Sequence, residues 1–345
     1  MEVKLLTEQD YVAWQDYVAN FPHAGFFHQI GWLKVVVDTY DHKPLYLIAE
    51  DGDAVKGVLP LFFISSPIFG RFLASDVFTS YGGVCADNEQ VASSLMEKAK
   101  ELAKSHNVEY VEVKNLKPLN SINAEWKKKN VYCTLMLDLK PGANEIWKAW
   151  RGETRTHVRK AIKSNVVVES GQHLYDEFYK LAAIFMRRVG TPIHSKKFYS
   201  NILKHFGEAA NIFVAKINGE IVSATFTASH KNIIQAYANV SLLEYRTKNP
   251  NQLLCWEIIR HACEKGFEYL DFGRSTYDSG TFSYKKQMIG AEPVPLHYIY
   301  YLNKLEKIPH VHPENKRYQL AIKIWQKLPL QITKIIGPHI IKYVV

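Results

Sequence analysis

An internal repeat constrains the fold of this 345-residue chain more than any other feature. Residues 45–61 and 211–227 each contain two apolar runs joined by a tight turn, and the glycines of these turns are Gly52 and Gly219. Asp-Gly and Asn-Gly dipeptides between apolar runs are the strongest short-range signal of a β-hairpin. The two glycines lie 167 positions apart, so the hairpins belong to corresponding parts of the two halves.

A predicted helix and a predicted strand follow each hairpin. In the first half they cover 89–104 and 108–113, and in the second half 253–262 and 267–272. The helices are offset by 162 positions and the strands by 159. Three elements in the same order at nearly the same offset predict a duplicated domain, although chance could also produce such an arrangement.

The order hairpin, crossover, helix and strand is that of the acetyltransferase-like fold. We therefore predict an α/β (α+β) chain of two tandem GNAT-like domains, 1–145 and 146–305, with a basic amphipathic segment over 306–345. The residues Pro141-Gly142-Ala143-Asn144 break the pattern between the copies. In this fold an acyl donor or acceptor lies in the cleft where the central strands separate.

Composition limits the class of protein. Apolar residues make up 47% and charged residues 22%, as in folded soluble domains. The net charge of +9 would attract polyanions such as RNA, nucleotide-sugar phosphates or a membrane leaflet, or would serve solubility alone. The four cysteines are far apart without metal-ligand spacing, so we expect buried thiols and no metal. The acidic start and the absence of a long apolar run favour the cytoplasm.

Four segments resemble FemAB-related proteins over almost the whole chain. They are 26–33 (FFHQIGWL), 69–83 with its FGR and YGG motifs, 155–161 (RTHVRKA) and 271–275 (DFGRS). The resemblance is greatest to the branch encoded beside exopolysaccharide and exosortase loci. It implies tandem acetyltransferase-like domains and transfer of an amino acid from aminoacyl-tRNA to a peptidoglycan precursor. However, 147–175 holds only one helix-sized segment, so the helical arm of several relatives is missing and tRNA dependence is in doubt.

The loop that grips the pyrophosphate of coenzyme A in acetyltransferases is altered here. The matching residues are Arg246-Thr247-Lys248-Asn249-Pro250-Asn251, in which asparagines replace both glycines and Pro250 lacks an N–H donor. A standard coenzyme A grip is therefore weakened. Asn251 is alternatively only the N-cap of the following helix.

A row of cations recurs every fourth residue at Arg151, Arg155, Arg159 and Lys163. A helix places them on one face, where like charges at this spacing repel. We predict that Arg155, Arg159 and Lys163 bind an anionic substrate, either a diphosphate or a nucleic-acid backbone. A solvated helix face, or ion pairs with other parts of the fold, would explain the row equally well.

The segment from Asp271 to Phe282 leaves a strand into a loop of small residues, and Tyr284, Lys285 and Lys286 follow. Arg274 could clamp a carboxylate or phosphate. The aromatic-Lys-Lys element is similar to that of FemAB proteins, with a register that is ambiguous by one residue. We assign Asp271, Lys285 and Lys286 as catalytic and Arg274 and Tyr284 as substrate-binding. Pairing of Asp271 with Arg274 for structure alone stays an alternative.

Amide formation requires deprotonation of an amine, alignment of the reactants and stabilisation of an oxyanion. The sequence shows no Cys–His or Ser–His spacing, so direct transfer is favoured over a covalent intermediate. Candidate bases are Asp271, Asp278 and His230.

In the first copy, Gln29, Trp32 and Lys34 begin a predicted helix where FemAB relatives place substrate contacts. We assign Lys34 to substrate binding and Trp32 to the core. Tyr81-Gly82-Gly83 reads as a tight turn near the cleft.

The tail from Lys316 to Val345 has six Lys or Arg and no acid, with apolar residues at helical spacing. Such a segment is typical of a membrane-surface anchor, or it packs on the body of the protein.

The sequence therefore predicts a FemAB-like acyl- or aminoacyltransferase that modifies an amine or hydroxyl of a cell-envelope or exopolysaccharide precursor. The expected partners are a small-molecule or lipid-linked phosphorylated precursor, tRNA and, through the C-terminal tail, the inner membrane. The donor is a co-substrate, so no cofactor is expected. The first alternative is a transferase of a polysaccharide sugar that uses coenzyme A or an acyl carrier. The second is a non-catalytic protein that binds an anionic glycan or nucleotide.

Overall fold

The computed structural model describes residues 1–120, 122–309 and 316–344. Its strands, in chain order, are β1 (Glu2–Leu5), β2 (Lys43–Pro44), β3 (Leu47–Asp51), β4 (Ala54–Leu59), β5 (Leu61–Ser66), β6 (Gly70–Ser75), β7 (Cys85–Ala86), β8 (Tyr110–Asn115), β9 (Trp126–Lys129), β10 (Tyr132–Asp138), β11 (Val166–Ser170), β12 (Ala210–Ile217), β13 (Glu220–His230), β14 (Ile233–Ser241), β15 (Tyr269–Thr276), β16 (Glu292–Pro295) and β17 (His297–Leu302).

The α-helices, in the same order, are α1 (Tyr11–Asn20), α2 (Ile30–Tyr40), α3 (Glu89–Ser105), α4 (Ala143–Ala149), α5 (Gly152–Lys163), α6 (Tyr175–Val189), α7 (Lys196–Phe206), α8 (Pro250–Glu264), α9 (Gly280–Tyr284), α10 (Lys316–Lys327) and α11 (Leu330–Ile341). A π-helical turn, Lys285–Ile289, continues α9.

Both predicted hairpins are confirmed. β3 pairs antiparallel with β4, and β12 pairs antiparallel with β13. Asn218 and Gly219 both adopt positive φ, 51° and 82°, which a two-residue hairpin turn requires and which these residue types tolerate. The predicted helices and strands that follow are α3 with β8 and α8 with β15. The repeat is therefore structural.

The first compact unit contains two sheets. Their strand orders are β1-β3-β4-β7 and β2-β5-β6-β8-β17-β9. β4 and β5 correspond to the single long strand β13 but are divided at Pro60, which has no N–H for a sheet ladder. The apolar face of α3, including Leu95 and Ala99, is fully buried in this unit's core.

The second compact unit has one seven-stranded sheet, in the order β11-β12-β13-β14-β15-β10-β16. α8 packs on β12 and β13 through fully buried residues such as Leu254 and Ile259. β14 and β15 run parallel, whereas β12 to β14 are antiparallel. This mixed sheet with helices against it is the predicted α/β arrangement.

The units divide the chain at different positions from the predicted 145/146 and 305/306. The first unit comprises Met1–Tyr132, Pro295–Val311 and Ile341–Val345, and the second comprises Cys133–Val294 and His312–Ile340. β10, from the first half of the sequence, lies next to β15, and β17, from the end, pairs with β8. Because each half contributes a strand to the other unit's sheet, no single cut separates the copies.

The tail does not form a separate unit. Residues 310–315 lie outside the described part of the chain, and α10 packs on α6, where Ile322 contacts Gly190. The Arg187 guanidinium donates a 3.2 Å hydrogen bond to the carbonyl of Leu328. Within the described residues, no helix is both long and apolar enough to cross a bilayer.

Candidate functional site

The central parallel strands of the second unit separate soon after they pair. β14 and β15 are in register over three residue pairs only, from Ile233 with Tyr269 to Gln235 with Asp271. β14 then continues to Ser241 and β15 to Thr276. The later residues of the two strands therefore do not pair with each other, and Asp271 lies where the gap opens.

The Asp271 carboxylate is held at this point by three donors. Its side chain is 1% exposed. One oxygen accepts from the Thr134 hydroxyl and from the Gly273 N–H at 2.8 Å, and the other accepts from the Gln235 amide at 3.1 Å. Because hydrogen bonds fix both oxygens, the carboxylate is a rigid negative charge at the base of the gap.

Lys285 is joined to the same backbone. Its ammonium donates to the Gly273 carbonyl and to the Ser275 hydroxyl, both at 3.1 Å. Gly273 therefore links the two charged residues, with its N–H on Asp271 and its carbonyl on Lys285. Its φ of +70° lies in the left-handed region that glycine adopts without strain. Lys285 itself begins the π-helical turn, a feature that is common at functional sites.

The environment of Lys285 changes its proton affinity. Burial lowers the pKa of Lys285 to about 8, while the charges of Asp271 and Cys133 act in the opposite direction. Burial dominates because removing an ammonium from water costs more than these charges restore. A lysine with this pKa exchanges a proton near neutral pH, as general acid–base catalysis requires.

The neighbours of Lys285 occupy different positions. Lys286 is exposed, with its ammonium 6.0 Å from the centroid of the Phe282 ring, so the ambiguous register places Lys285 and not Lys286 beside Asp271. Arg274 is exposed on β15. Tyr284 is half-buried, and burial raises the pKa of its hydroxyl above the usual value.

A cavity of about 290 Å³ adjoins the start of α8. Its walls include Ser241, Arg246, Pro250, Asn251 and Tyr284. It therefore lies at the end of β14, beyond the point where the strands separate, and contains the altered phosphate loop. This is a concave site with one cation and several polar groups.

The first turn of α8 offers few free donors to an anion. Asn249 with φ 56° is the N-cap, and Pro250 is the first residue of the helix, so the suggestion that Asn251 is the N-cap is wrong. The N–H groups of Gln252 and Leu253 both point to the carbonyl of Asn249, at 3.2 and 3.4 Å. The Asn251 amide contacts the hydroxyls of Ser223 and Ser241. A weakened coenzyme A grip stays a prediction, and the small number of free donors in this turn agrees with it.

The cationic row lies on α5 but outside that cavity. Arg155 is half-buried and donates to the Lys148 carbonyl at 3.3 Å, while Arg159 and Lys163 are exposed. The Arg159 guanidinium lies 5.6 Å from the centroid of the Trp147 ring. None of the three lines the cavity at α8.

The end of α4 and the start of α5 are nevertheless tied to the turn that carries Lys285. The Trp150 indole donates to the carbonyl of Ile289 at 2.7 Å, and the Thr154 hydroxyl donates to the carbonyl of Met288 at 2.9 Å. α5 thus supports the π-helical turn, and its cations remain predicted anion contacts.

The other two candidate bases lie apart from this constellation. His230 ends β13 at the turn into β14, at the opposite end of β14 from the cavity. Asp278 is exposed in the segment between β15 and α9.

The predicted residues of the first copy all lie in the first unit. Lys34 is exposed on α2, with its ammonium 5.8 Å from the centroid of the Tyr11 ring. Trp32 is fully buried, which confirms its place in the core, and Gln29 caps its own segment through the Phe26 carbonyl at 3.1 Å. Gly82 and its neighbours line a cavity of about 210 Å³.

Sequence reasoning missed Thr134 and Gln235, because neutral polar residues in strands carry no catalytic signal. The internal repeat, however, contains a signal for the buried carboxylate. Glu112 lies 159 positions before Asp271, at the matching position of β8, and accepts a hydrogen bond from the Tyr300 hydroxyl. In both units a strand from the other half of the sequence supplies a hydroxyl to this buried carboxylate.

Comparison with known proteins agrees with this architecture. Residues 149–286 match the family model described as acetyltransferase (GNAT) domain. The FemX crystal structure superposes with a TM-score of 0.69 at 15% identity, covering 88% of this chain and 98% of FemX. The C-terminal domain of a putative lysylphosphatidylglycerol synthetase from Agrobacterium fabrum gives 0.58 at 11% identity, covering 88% and 99%. A tandem GNAT protein from the clavulanic acid pathway gives 0.56 at 13%, covering 87% and 97%.

No curated protein matches the sequence. The structural likenesses confirm the tandem GNAT-type fold, and the domain model supports a transferase enzyme. Among the described residues, no group of three or more His, Cys, Asp or Glu side chains could hold a metal ion.

Proposed function

We propose that this chain, whose residues 149–286 match the GNAT acetyltransferase domain model, moves an activated acyl or aminoacyl group onto an amine or hydroxyl of a cell-envelope or exopolysaccharide precursor. One observation carries the proposal. The gap between β14 and β15 brings together the buried Asp271 carboxylate and the Lys285 ammonium, and the cavity at α8 adjoins the end of β14.

The chemistry follows from these groups. The acceptor nitrogen attacks the carbonyl carbon of the donor ester, the new C–N bond forms, and the C–O bond to the leaving group breaks. The Lys285 ammonium offsets the charge that develops on the carbonyl oxygen, and its pKa of about 8 lets it give a proton to the leaving oxygen and recover one from the amine. Asp271 holds Gly273, and through it the Lys285 ammonium, in position.

The donor is proposed to bind at the α8 cavity as a co-substrate, without a resident cofactor. The small number of free N–H groups at the start of α8 favours an aminoacyl ester, such as aminoacyl-tRNA, over a coenzyme A thioester. Arg246 is the charged group that this cavity offers to a donor phosphate.

A second candidate is a coenzyme A-dependent acetyltransferase of a polysaccharide sugar. The position of the cavity favours it, because the cavity contains the segment that corresponds to the pyrophosphate loop of acetyltransferases. The two candidates share Asp271, Lys285 and the gap, and differ in the donor and in the acceptor.

The acceptor is proposed to be a phosphorylated, lipid-linked precursor that meets the enzyme at the inner face of the membrane. One of the similar structures is named a lysylphosphatidylglycerol synthetase, and the basic tail of this chain suits peripheral contact with an anionic leaflet. Arg155, Arg159 and Lys163 are proposed to contact the acceptor phosphates.

Donor binding tests the proposal. We expect charged tRNA to raise the melting temperature of the full chain, and Tyr284→Ala and Arg246→Glu to abolish the shift. Lys265→Glu is the matched control, since Lys265 is exposed after α8 and outside the cavity.

A shift with acetyl coenzyme A that depends on Tyr284 and Arg246 would select the second candidate. The site proposal fails if no acyl donor binds, or if both cavity variants bind donors as the control does.

A further inference from the structure

We infer that α11, with the ends of α6 and α7 that it covers, forms a docking surface for an anionic phospholipid bilayer. The inference deepens the peripheral membrane contact of the proposed function, but it concerns a surface separate from the transfer site. All the residues involved belong to the second unit.

A cavity of about 400 Å³ lies against α11. Three lysines line it, Lys180 from α6, Lys196 at the start of α7 and Lys334 from α11, with Asp176 as the acidic residue of the lining. Asp176 pairs with Lys196 at 2.6 Å. The lining therefore keeps an excess of two positive charges, suited to a phosphate group.

α11 presents two different faces. Gln331, Lys334, Ile335 and Pro338 line the cavity at spacings of three and four, so they share one face of the helix. Thr333 and Gly337 lie on the opposite face and are buried, and a Cβ on Gly337 would come within 3.0 Å of the Ile193 carbonyl oxygen. The close packing of the inner face fixes the outward direction of the cavity face.

Large aliphatic side chains are exposed on α11 and on α10. Ile335, on the cavity rim, is 68% exposed and Ile332 is 42% exposed. On α10, Leu320 and Ile324 are 66% and 54% exposed, one turn apart. Exposed isoleucines and leucines interleaved with lysines are typical of a surface that meets an apolar and an anionic phase together.

An anionic bilayer meets both demands, because its headgroups pair with lysines and its acyl boundary accepts isoleucines. A nucleic acid would satisfy the lysines and leave the isoleucines in water. A second copy of this chain would place like charges against each other, since 316–345 contains six Lys or Arg and no acid. Charge and apolarity together therefore select the lipid surface.

Vesicle co-sedimentation of the full chain tests this surface without any acyl donor. We expect binding to vesicles of phosphatidylcholine mixed with phosphatidylglycerol, and at least about tenfold weaker binding to phosphatidylcholine alone. Lys180→Glu/Lys334→Glu should weaken the binding by about 25-fold or more, because each lysine near an anionic surface contributes about fivefold. Lys104→Glu/Lys128→Glu makes the same charge change on exposed residues of the first unit and should have a much smaller effect.

The apolar contribution has its own pair of variants. Ile332→Asn/Ile335→Asn should reduce binding to anionic vesicles about a hundredfold, since each of the two aliphatic side chains contributes roughly tenfold when buried. Val12→Asn/Ile68→Asn changes two residues that are 73% and 65% exposed in the first unit, and should bind as the unmodified chain does. Circular dichroism melts confirm that each variant is folded.

Several results would overturn the inference. The first is equal binding to neutral and anionic vesicles. The second is an equal loss of vesicle binding in each pair of test variants and its control pair. The third is displacement of the chain from vesicles by inorganic phosphate at constant ionic strength. Retained vesicle binding together with lost RNA binding in Lys180→Glu/Lys334→Glu would assign the cavity to a nucleic acid instead. Failure of acyl transfer with intact vesicle binding would affect only the proposed function.

Discussion

Replacing Lys285 by methionine should make the chain relatively more stable at neutral pH than at alkaline pH. The folded protein holds this lysine at a pKa of about 8, against 10.5 for a solvated lysine. Below about pH 8 the Lys285 side chain is charged in both the folded and the unfolded state, so folding carries the full free-energy cost of burying the ammonium. Between the two values the folded state has released its proton and the unfolded state has not, so the stability contributed by Lys285 rises with pH.

The magnitude follows from the same two values. A difference of 2.5 units, from 10.5 to about 8, corresponds to about 3 kcal/mol at most. Between about pH 7 and about pH 10 the unmodified chain should recover about 2.5 kcal/mol of this relative to Lys285→Met. The test depends on how the difference in the free energy of unfolding between the two proteins changes with pH, because packing of the methionine contributes equally at both pH values.

Urea unfolding of both proteins at the two pH values measures this difference. Lys286→Met is the matched control, because Lys286 is adjacent and exposed. Its free-energy difference from the unmodified chain should stay constant with pH. A difference for Lys285→Met that changes by less than about 0.5 kcal/mol would refute the burial argument.

Three further substitutions, together with one control, test the support around the buried carboxylates. Thr134→Val removes one donor and should cost about 1–3 kcal/mol in urea unfolding, and an unchanged midpoint would show that the bond is dispensable. Gly273→Ala should cost about 1–2 kcal/mol because of its φ of +70°. Gly280→Ala, at ordinary φ and with nothing within 4 Å of the added Cβ, should be nearly neutral, so equal losses would contradict the strain argument. Tyr300→Phe removes the hydroxyl that donates a hydrogen bond to Glu112. Its loss of stability should be similar to that of Thr134→Val, and thermal melts of both proteins compare the two losses.

Local signals predicted the elements of each copy because the relevant interactions are close in sequence. The Asn218-Gly219 turn is specified by two residues, and α3 by its N-cap Asn88 and its apolar face. The exchange of β10 and β17 could not be predicted in this way. A strand's sequence fixes which of its faces is buried, but not which sheet it joins.

The same distinction applies to the candidate site. Spacing correctly places Arg155 and Arg159 on one face of α5, but it does not specify what that face meets, and these residues lie outside the α8 cavity. The sequence of the aromatic-Lys-Lys element does not decide whether Lys285 or Lys286 lies at the site. The turn geometry selects Lys285, because its ammonium reaches the Gly273 carbonyl while Lys286 is exposed.

Transfer of radiolabel from aminoacyl-tRNA to an envelope-precursor extract tests the central claim most directly. We expect transfer by the unmodified chain, a loss of at least about tenfold in Lys285→Met, as for removal of one positioned acid–base group, and full activity in the control Lys265→Met. Undiminished transfer by folded Lys285→Met, or no transfer from either aminoacyl-tRNA or acetyl coenzyme A, would contradict the assignment of the gap between β14 and β15 as an acyl-transfer site.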